Sequence, residues 1–518
     1  MVSAVLCHFF AEAGKKCSAD RARSDMSGLA CRNGAEIFPT PTCRPAHACE
    51  GGRRGLPVWT ACLSALRGRS GGPRFAADRA TGDHAMLLAG LEALLLLALW
   101  PQQNVLLIVA DDLGVAHVGC YGIGTDPPPT PNLDALARRG VRFANAWSMP
   151  CCSPTRACIQ TGRYPFRTSV GNSTLNSASC LQAAELTIPE VLPGIPCAAV
   201  GKWHLDVTWR RASPFRHGYQ YYRGCLAGSL ASYYWWPSTT TSGATSLDFG
   251  YATTRTVDDA LAWLARQRTN WFCYVALNAP HVPYQAPPPH LHSYTLRNNS
   301  SDVKLTYKAM IEALDTELGR LLSGIDESRT TVIFVGDNGG DDRIVEPPFD
   351  ASRAKGTVYE GGVWVPLIVA GPGVTSPGRA EHAIVNVVDL YSTIVELMGG
   401  RQETGVDSVS LVPYLRRKNL APRRQFSYTE TFTTPSGADA DEPVFERAIR
   451  DQRFKFVQLA TDTDIAEEHF FDLDNDRYET IDLMGDQRFA RSIQRLRAAL
   501  MHLLTAETSG SSKHPRVD

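Results

Sequence analysis

From residue 104 onward short apolar runs alternate with longer amphipathic stretches. Residues 105–110, 198–200, 272–277, 331–335 and 366–370 form five brief runs rich in β-branched and aromatic side chains. Such runs predict strands covered on both faces. Between them, apolar residues recur every three or four positions in 132–139, 258–266, 307–323 and 388–398, which predicts helices packed along one side. That alternation points to an α/β chain with a mostly parallel sheet and helices on both of its faces. Past a basic, Pro-containing joint at 416–424, residues 448–459 and 470–473 read as strands and 489–504 as a closing helix.

Four of the five runs give way to polar clusters. The first ends in Asp111-Asp112, the second in Gly201-Lys202-Trp203-His204, the third leads to Pro280-His281 and the fourth to Asp337-Asn338. In open α/β sheets ligands bind beyond the carboxyl ends of the strands, so these polar clusters are expected to converge on one site. A further segment, Cys152-Ser153-Pro154-Thr155-Arg156, precedes a Gly at 162. Pro154 suits a first helical turn and Gly162 a helix end. Cys152 would then stand at a helix N-terminus, where the dipole favours anions, with Arg156 one turn on and on the same face.

Composition narrows the reading further. The chain has 518 residues, 20% of them charged, and a net charge of −1, so nothing global argues for nucleic acid or an anionic membrane as partner. Residues 1–85 hold twelve Lys and Arg against seven Asp and Glu, leaving the rest at −6. That stretch lacks any periodicity and reads as a disordered or transit-like leader, or as an over-extended reading of the gene. Met86 opens an apolar run to about residue 102, the length of a signal-peptide core and short for a membrane span, although Glu92 interrupts it. If translation starts there, the chain enters a secretory route, to a secreted, lysosomal or periplasmic destination. The sequons at Asn172, Asn298 and Asn299 and the eight cysteines beyond residue 85 are compatible with that route. Lysine is rare, nine against forty-three arginines, yet Lys202 and Lys355 stand among the candidate site residues.

The Cys152 segment with its Thr161-Gly162 resembles the signature of the sulfatase family. The resemblance extends to Asp111-Asp112-Leu113-Gly114, Gly201-Lys202-Trp203-His204-Leu205, Pro280-His281-Val282-Pro283, Gly336-Asp337-Asn338-Gly339, Lys355-Gly356-Thr357 and Tyr359-Glu360-Gly361-Gly362, in the expected order. It implies an alkaline-phosphatase-like α/β/α sandwich over residues 103–415 and a smaller C-terminal α+β subdomain, with an antiparallel sheet, over 416–518. It also implies hydrolysis of sulfate monoesters by a formylglycine made from Cys152 by the formylglycine-generating enzyme, through a covalent sulfated intermediate. Asp111, Asp112, Asp337 and Asn338 offer oxygen ligands for a hard cation, Ca²⁺ or Mg²⁺. The family favours Ca²⁺, held also by the modified Cys152. By the same resemblance Asp337 accepts a proton from the nucleophile, and His281 and Lys355 protonate the leaving oxygen. His204 assists the elimination of sulfate, while Arg156 and Lys202 hold the formylglycine and its sulfate. The substrate would be a small-molecule or carbohydrate sulfate. Phosphonate monoester or phosphodiester hydrolysis, and a catalytically silent binding protein on the same fold, are the competing readings. His117 and Trp364 depart from the family pattern, at positions with no assigned catalytic role. The aromatic run Tyr233-Tyr234-Trp235-Trp236 fits a stacking surface and plain packing equally well.

Overall fold

The computed structural model describes residues 103–506 except 174–178, 297–301, 402, 433–444 and 461–464. The leader, the apolar run from Met86 and the sequons at Asn298 and Asn299 lie outside these residues, as does Thr174 of the third.

The predicted strands form the middle of a ten-stranded sheet. β1 (Asn104–Ala110), β3 (Cys197–Gly201), β7 (Phe272–Ala276) and β8 (Thr330–Gly336) lie side by side in the order β8-β1-β7-β3, all parallel. These are the four strands whose carboxyl ends carry the polar clusters, so parallel pairing brings the clusters to one edge. β4 (Tyr221–Gly224) continues the parallel set, and an antiparallel hairpin of β5 (Trp236–Thr240) and β6 (Thr245–Asp248) completes that side. On the other side come β9 (Leu367–Ala370), β2 (Gly140–Trp147) and β10 (Arg379–Asn386). The run at 366–370, expected in the parallel set, runs antiparallel to both of its neighbours. It is also the run with no polar cluster after it.

Alternation along β1 shows why the sheet is covered twice. Val105, Leu107 and Val109 enter one apolar cluster, and Leu106, Ile108 and Ala110 enter another. The second cluster is closed by helices α1 (Pro131–Arg138), α3 (Ala252–Leu264) and α4 (Val303–Ser323). The first is closed by α2 (Cys152–Thr161), α6 (Asp389–Leu397) and α7 (Ala490–Thr505), and a four-residue turn of helix, α5 (Glu360–Val363), lies between α4 and α6 in sequence. The predicted helices are found with ends shifted by a few residues. Helix 258–266 differs most, because its first turn begins at Ala252, before the apolar spacing becomes visible.

A second sheet is antiparallel, in the order β11 (Ser427–Phe432), β12 (Phe445–Arg450), β13 (Phe454–Ala460) and β14 (Ile465–Asp472). The stretch 448–459, expected as one strand, is thus a hairpin. Asp451 makes the turn by accepting the N–H groups of Arg453 (2.8 Å) and Phe454 (2.6 Å) on its carboxylate. Ile449, Phe456, Phe470 and Leu496 share the apolar cluster of Val105 and Tyr391, so both sheets rest on common packing. No helix among the described residues is long and apolar enough to cross a membrane.

His117 is buried edge-on against Tyr307, ring centroids 5.0 Å apart. Burial, reinforced by Lys308 and Lys304, pushes its imidazole from 6.5 down to about 4. The unfolded chain therefore takes up this proton first, so the stability is present above pH 6.5 and is lost as pH falls towards 4. His117→Gln should reduce the loss of unfolding free energy between neutral pH and the acid limb by up to about 3 kcal/mol, read from urea melts. Parallel acid limbs in variant and wild type would refute this.

Candidate active site

The site is built where four parallel strands end and one helix begins. Cys151 is extended (φ −133°, ψ 159°), Cys152 opens α2, and Gly162 closes it in the left-handed region at φ 69°, as the sequence implied. No side chain caps the first turn of α2, so its dipole faces the site. Two hydroxyls fasten that turn to the strand ends. Ser153 Oγ donates to the His204 carbonyl at 2.8 Å, and Thr155 Oγ1 to the Asp337 carbonyl at 2.6 Å.

Three carboxylates are gathered against three cations. Asp111, Asp112 and Asp337 are buried, as are Lys202 and Arg156, while Lys355 keeps a fifth of its side chain exposed. Lys202 Nζ donates to Asp111 Oδ2 at 2.5 Å, and Lys355 Nζ stands 2.6 Å and 2.8 Å from the two oxygens of Asp112. Arg156 Nη2 donates to Asp337 Oδ2 at 2.6 Å and lies 3.7 Å from Asp111. Two like charges at ~4 Å repel by about 4 kcal/mol at an effective dielectric constant of ~20, so three buried carboxylates need these partners.

The charges order the titrations. Burial pushes Asp111 well up, with Lys202 opposing and Asp337 reinforcing. For Asp112 burial acts upward too, but Lys355, His281 and Lys202 outweigh it and hold the group at about 2. Asp337 is likewise lowered against its burial, mainly by Arg156 and Lys202. The Cys152 thiol falls to about 6, because Lys202 and Lys355 overcome burial. The histidines separate. Burial, Lys202 and Arg156 push His204 far down and keep it neutral, whereas Asp112 and Asp111 overcome burial and lift His281 to about 9.

Ligand atoms of Asp111, Asp112, Cys152 and His281 lie within 4.8 Å of one another and could hold a metal ion. Two further observations fit a cation. Asp111 Oδ1 and Asn338 Oδ1 are buried without a hydrogen bond. Asn338 nonetheless reaches the group by its amide nitrogen, 2.7 Å from Asp112 Oδ1. Asp337, expected as a ligand, stands beside the group rather than in it, with Oδ2 on Arg156 and Oδ1 taking the Asp112 N–H at 3.0 Å. The nine site residues expected from the sequence at 111, 112, 152, 156, 202, 281, 337, 338 and 355 thus meet directly. His204 joins through Ser153, its ring covered by Gly228, where a Cβ would lie 2.3 Å from Nε2.

Supporting residues escaped the sequence reading. Tyr274 places its hydroxyl 3.3 Å from Arg156 Nη1, and Tyr307 donates to the Asp112 carbonyl at 2.6 Å, steadying a non-glycine residue at φ 63°. A phenol inside an apolar strand run was the available signal for Tyr274. Nothing local marks Tyr307, which lies 195 positions from its partner.

Residues 103–400 match the family model described as Sulfatase, and residues 352–506 match one described as N-sulphoglucosamine sulphohydrolase, C-terminal. The chain belongs to the sulfatase family. It is 27% identical to N-acetylgalactosamine-6-sulfatase of Homo sapiens over 373 residues, 63% of this chain and 68% of that protein. Steryl-sulfatase of Mus musculus is 27% identical over 426 residues, 63% and 67% of the two chains. Among solved structures, Ps i-CgsB in complex with k-i-k-neocarrahexaose superposes with a TM-score of 0.66 and 25% identity, covering 78% of this chain and 93% of that one. This sulfatase is accordingly a sulfuric ester hydrolase on the alkaline-phosphatase-like fold. At Trp364, where this chain departs from the family pattern, the indole donates to the Ala144 carbonyl at 3.0 Å, and Arg477 stacks on its ring at 3.8 Å.

Because Arg156 and Asp337 are both buried, removing the cation strands the anion. Arg156→Met should lower the unfolding free energy by about 3–5 kcal/mol in urea, whether or not turnover is measurable. A change below about 1 kcal/mol would show that the pair adds no support.

Proposed function

We propose that this sulfatase hydrolyses sulfate monoesters with a formylglycine derived from Cys152 and a divalent cation, Ca²⁺ in preference to Mg²⁺. The observation that carries the reading is the convergence of Asp111, Asp112, Cys152 and His281 within 4.8 Å, ringed by Lys202, Lys355 and Arg156. The cation would be held by Asp111, Asp112, Asp337, Asn338 and the modified Cys152, and when bound it neutralises charge on the sulfuryl oxygens. The hydrated aldehyde, once the formylglycine-generating enzyme has acted, supplies the attacking hydroxyl.

The remaining work belongs to the chain's own side chains. Asp337, kept ionised by Arg156, accepts the proton of the attacking hydroxyl. His281, lifted by Asp112 and Asp111, and Lys355 protonate the departing oxygen. His204 is neutral at working pH, as a group assisting the later deprotonation must be. Lys202 and Arg156 orient the nucleophile and hold the sulfate, Lys202 as a compact point charge and Arg156 as a planar fork. A small-molecule or carbohydrate sulfate is the substrate class. The relative named N-acetylgalactosamine-6-sulfatase and the neighbour bound to a carrahexaose support the carbohydrate choice. A secretory route, with translation from near Met86, accompanies this reading, as does a domain division near residue 415.

The test is hydrolysis of a chromogenic aryl sulfate by protein co-expressed with the formylglycine-generating enzyme, with the mass of the Cys152 peptide read in parallel. Turnover should accompany the aldehyde mass, and Cys152→Ala should fall by more than about a thousandfold while keeping its melting temperature. An active alanine variant would sink the mechanism. Chelation should abolish turnover, and Ca²⁺ at about a hundred times its Kd should restore it and stabilise the fold by about 2.7 kcal/mol. Restoration by Mg²⁺ alone would reverse the choice of cation.

A further inference from the structure

The aromatic run 233–236 divides by side chain. Tyr234 and Trp235 are 40% and 48% exposed, whereas Tyr233 is fully buried and points inward. Its hydroxyl lies 2.7 Å from the Asn278 carbonyl and 2.7 Å from the His281 carbonyl. Those two carbonyls bracket the turn after β7, which is closed by the His281 N–H donating to the Asn278 carbonyl at 2.9 Å. A phenol has one proton, so it is shared between two acceptors and fixes the separation of both ends of the turn.

Tyr233 is itself held on three sides. Its N–H donates to Gln285 Oε1 at 2.6 Å, and its carbonyl accepts the Ala252 N–H, at the start of α3, at 2.8 Å. Its ring stacks on Tyr251 with centroids 5.7 Å apart. The hydroxyl is therefore the end of a rigid arm rather than a loose filler. At the other end, His281 Nδ1 lies 2.7 Å from the Val282 carbonyl and so carries the donated proton. That hydrogen bond turns the ring so that Nε2 faces the site, 3.7 Å from Asp112 Oδ2.

We infer that Tyr233 is a positioning residue for His281, its hydroxyl fixing the 278–281 turn so that Nε2 stands over Asp112 and Cys152. This rests on the reading that His281 serves sulfate ester hydrolysis. A hydroxyl outside the catalytic group, on an element 45 residues earlier than Asn278, thereby governs where the proton donor sits.

Tyr233→Phe tests it by deleting one oxygen while keeping the ring and its stacking. Normalised to the aldehyde content at position 152, kcat on a chromogenic aryl sulfate should fall about ten- to a hundredfold, with KM within about twofold. In histidine-labelled protein the ring resonances of His281, identified by their loss in His281→Asn, should move. A structural role alone would lower the melting temperature and leave both unchanged. The inference is overturned if kcat stays within about twofold of wild type, or if the His281 resonances do not shift. Should correctly modified wild-type protein hydrolyse no sulfate ester, the functional reading fails, and the resonances by themselves decide whether Tyr233 positions His281.

Discussion

Everything near the strand ends answers to one constraint, the confinement of Asp111, Asp112 and Asp337 in a buried space. Mutual repulsion would scatter them without Lys202, Lys355 and Arg156, each of which pairs with a different carboxylate. Because the compensating charges come from the residue after β3, from α2 and from the segment before α5, the site exists only when those elements are packed. The cations lower the Cys152 thiol and, with burial, His204, whereas Asp112 and Asp111 lift His281. Electrostatic pre-organisation and tertiary packing are thus one requirement at this edge of the sheet.

The segment bearing Lys355 depends in turn on the second sheet. Glu360, in α5, accepts the Trp147 indole N–H at 2.7 Å and lies 3.6 Å from Lys455, a fully buried lysine on β13. Lys455 also meets Glu479 at 2.6 Å, and Glu479 accepts the Glu360 N–H at 2.7 Å. Glycine then lets α5 touch the site itself, since a Cβ at Gly339 would fall 1.9 Å from the Gly361 carbonyl. Buried charge on one side and bare backbone on the other hold this turn of helix between β13 and the residues just after β8.

The strands that carry the chemistry were legible because burial on both faces leaves an unbroken apolar run, and the polar residues ending each run stand out against it. Helix α2 was legible from Pro154 and Gly162. The outer strands were not. β2 and β10 contain arginine, asparagine or glutamate among their apolar residues, and β5 and β6 are short and rich in threonine and serine. The hairpin within 448–459 hid because Asp451-Gln452-Arg453 lacks the Gly or Pro that announces a turn, its geometry coming from the Asp451 carboxylate.

By itself the sequence determined the kinds of groups available and their places at strand ends, since both are local properties of side chains and periodicity. It determined the family as well, because several motifs stand in a fixed order. The tertiary structure alone decided which cation meets which carboxylate, that β9 runs antiparallel, that Tyr307 steadies Asp112, and that Tyr233 reaches the turn of His281. These pairs are separated by tens to hundreds of positions, and the order of strands in a sheet, which no local pattern encodes, is what brings them together.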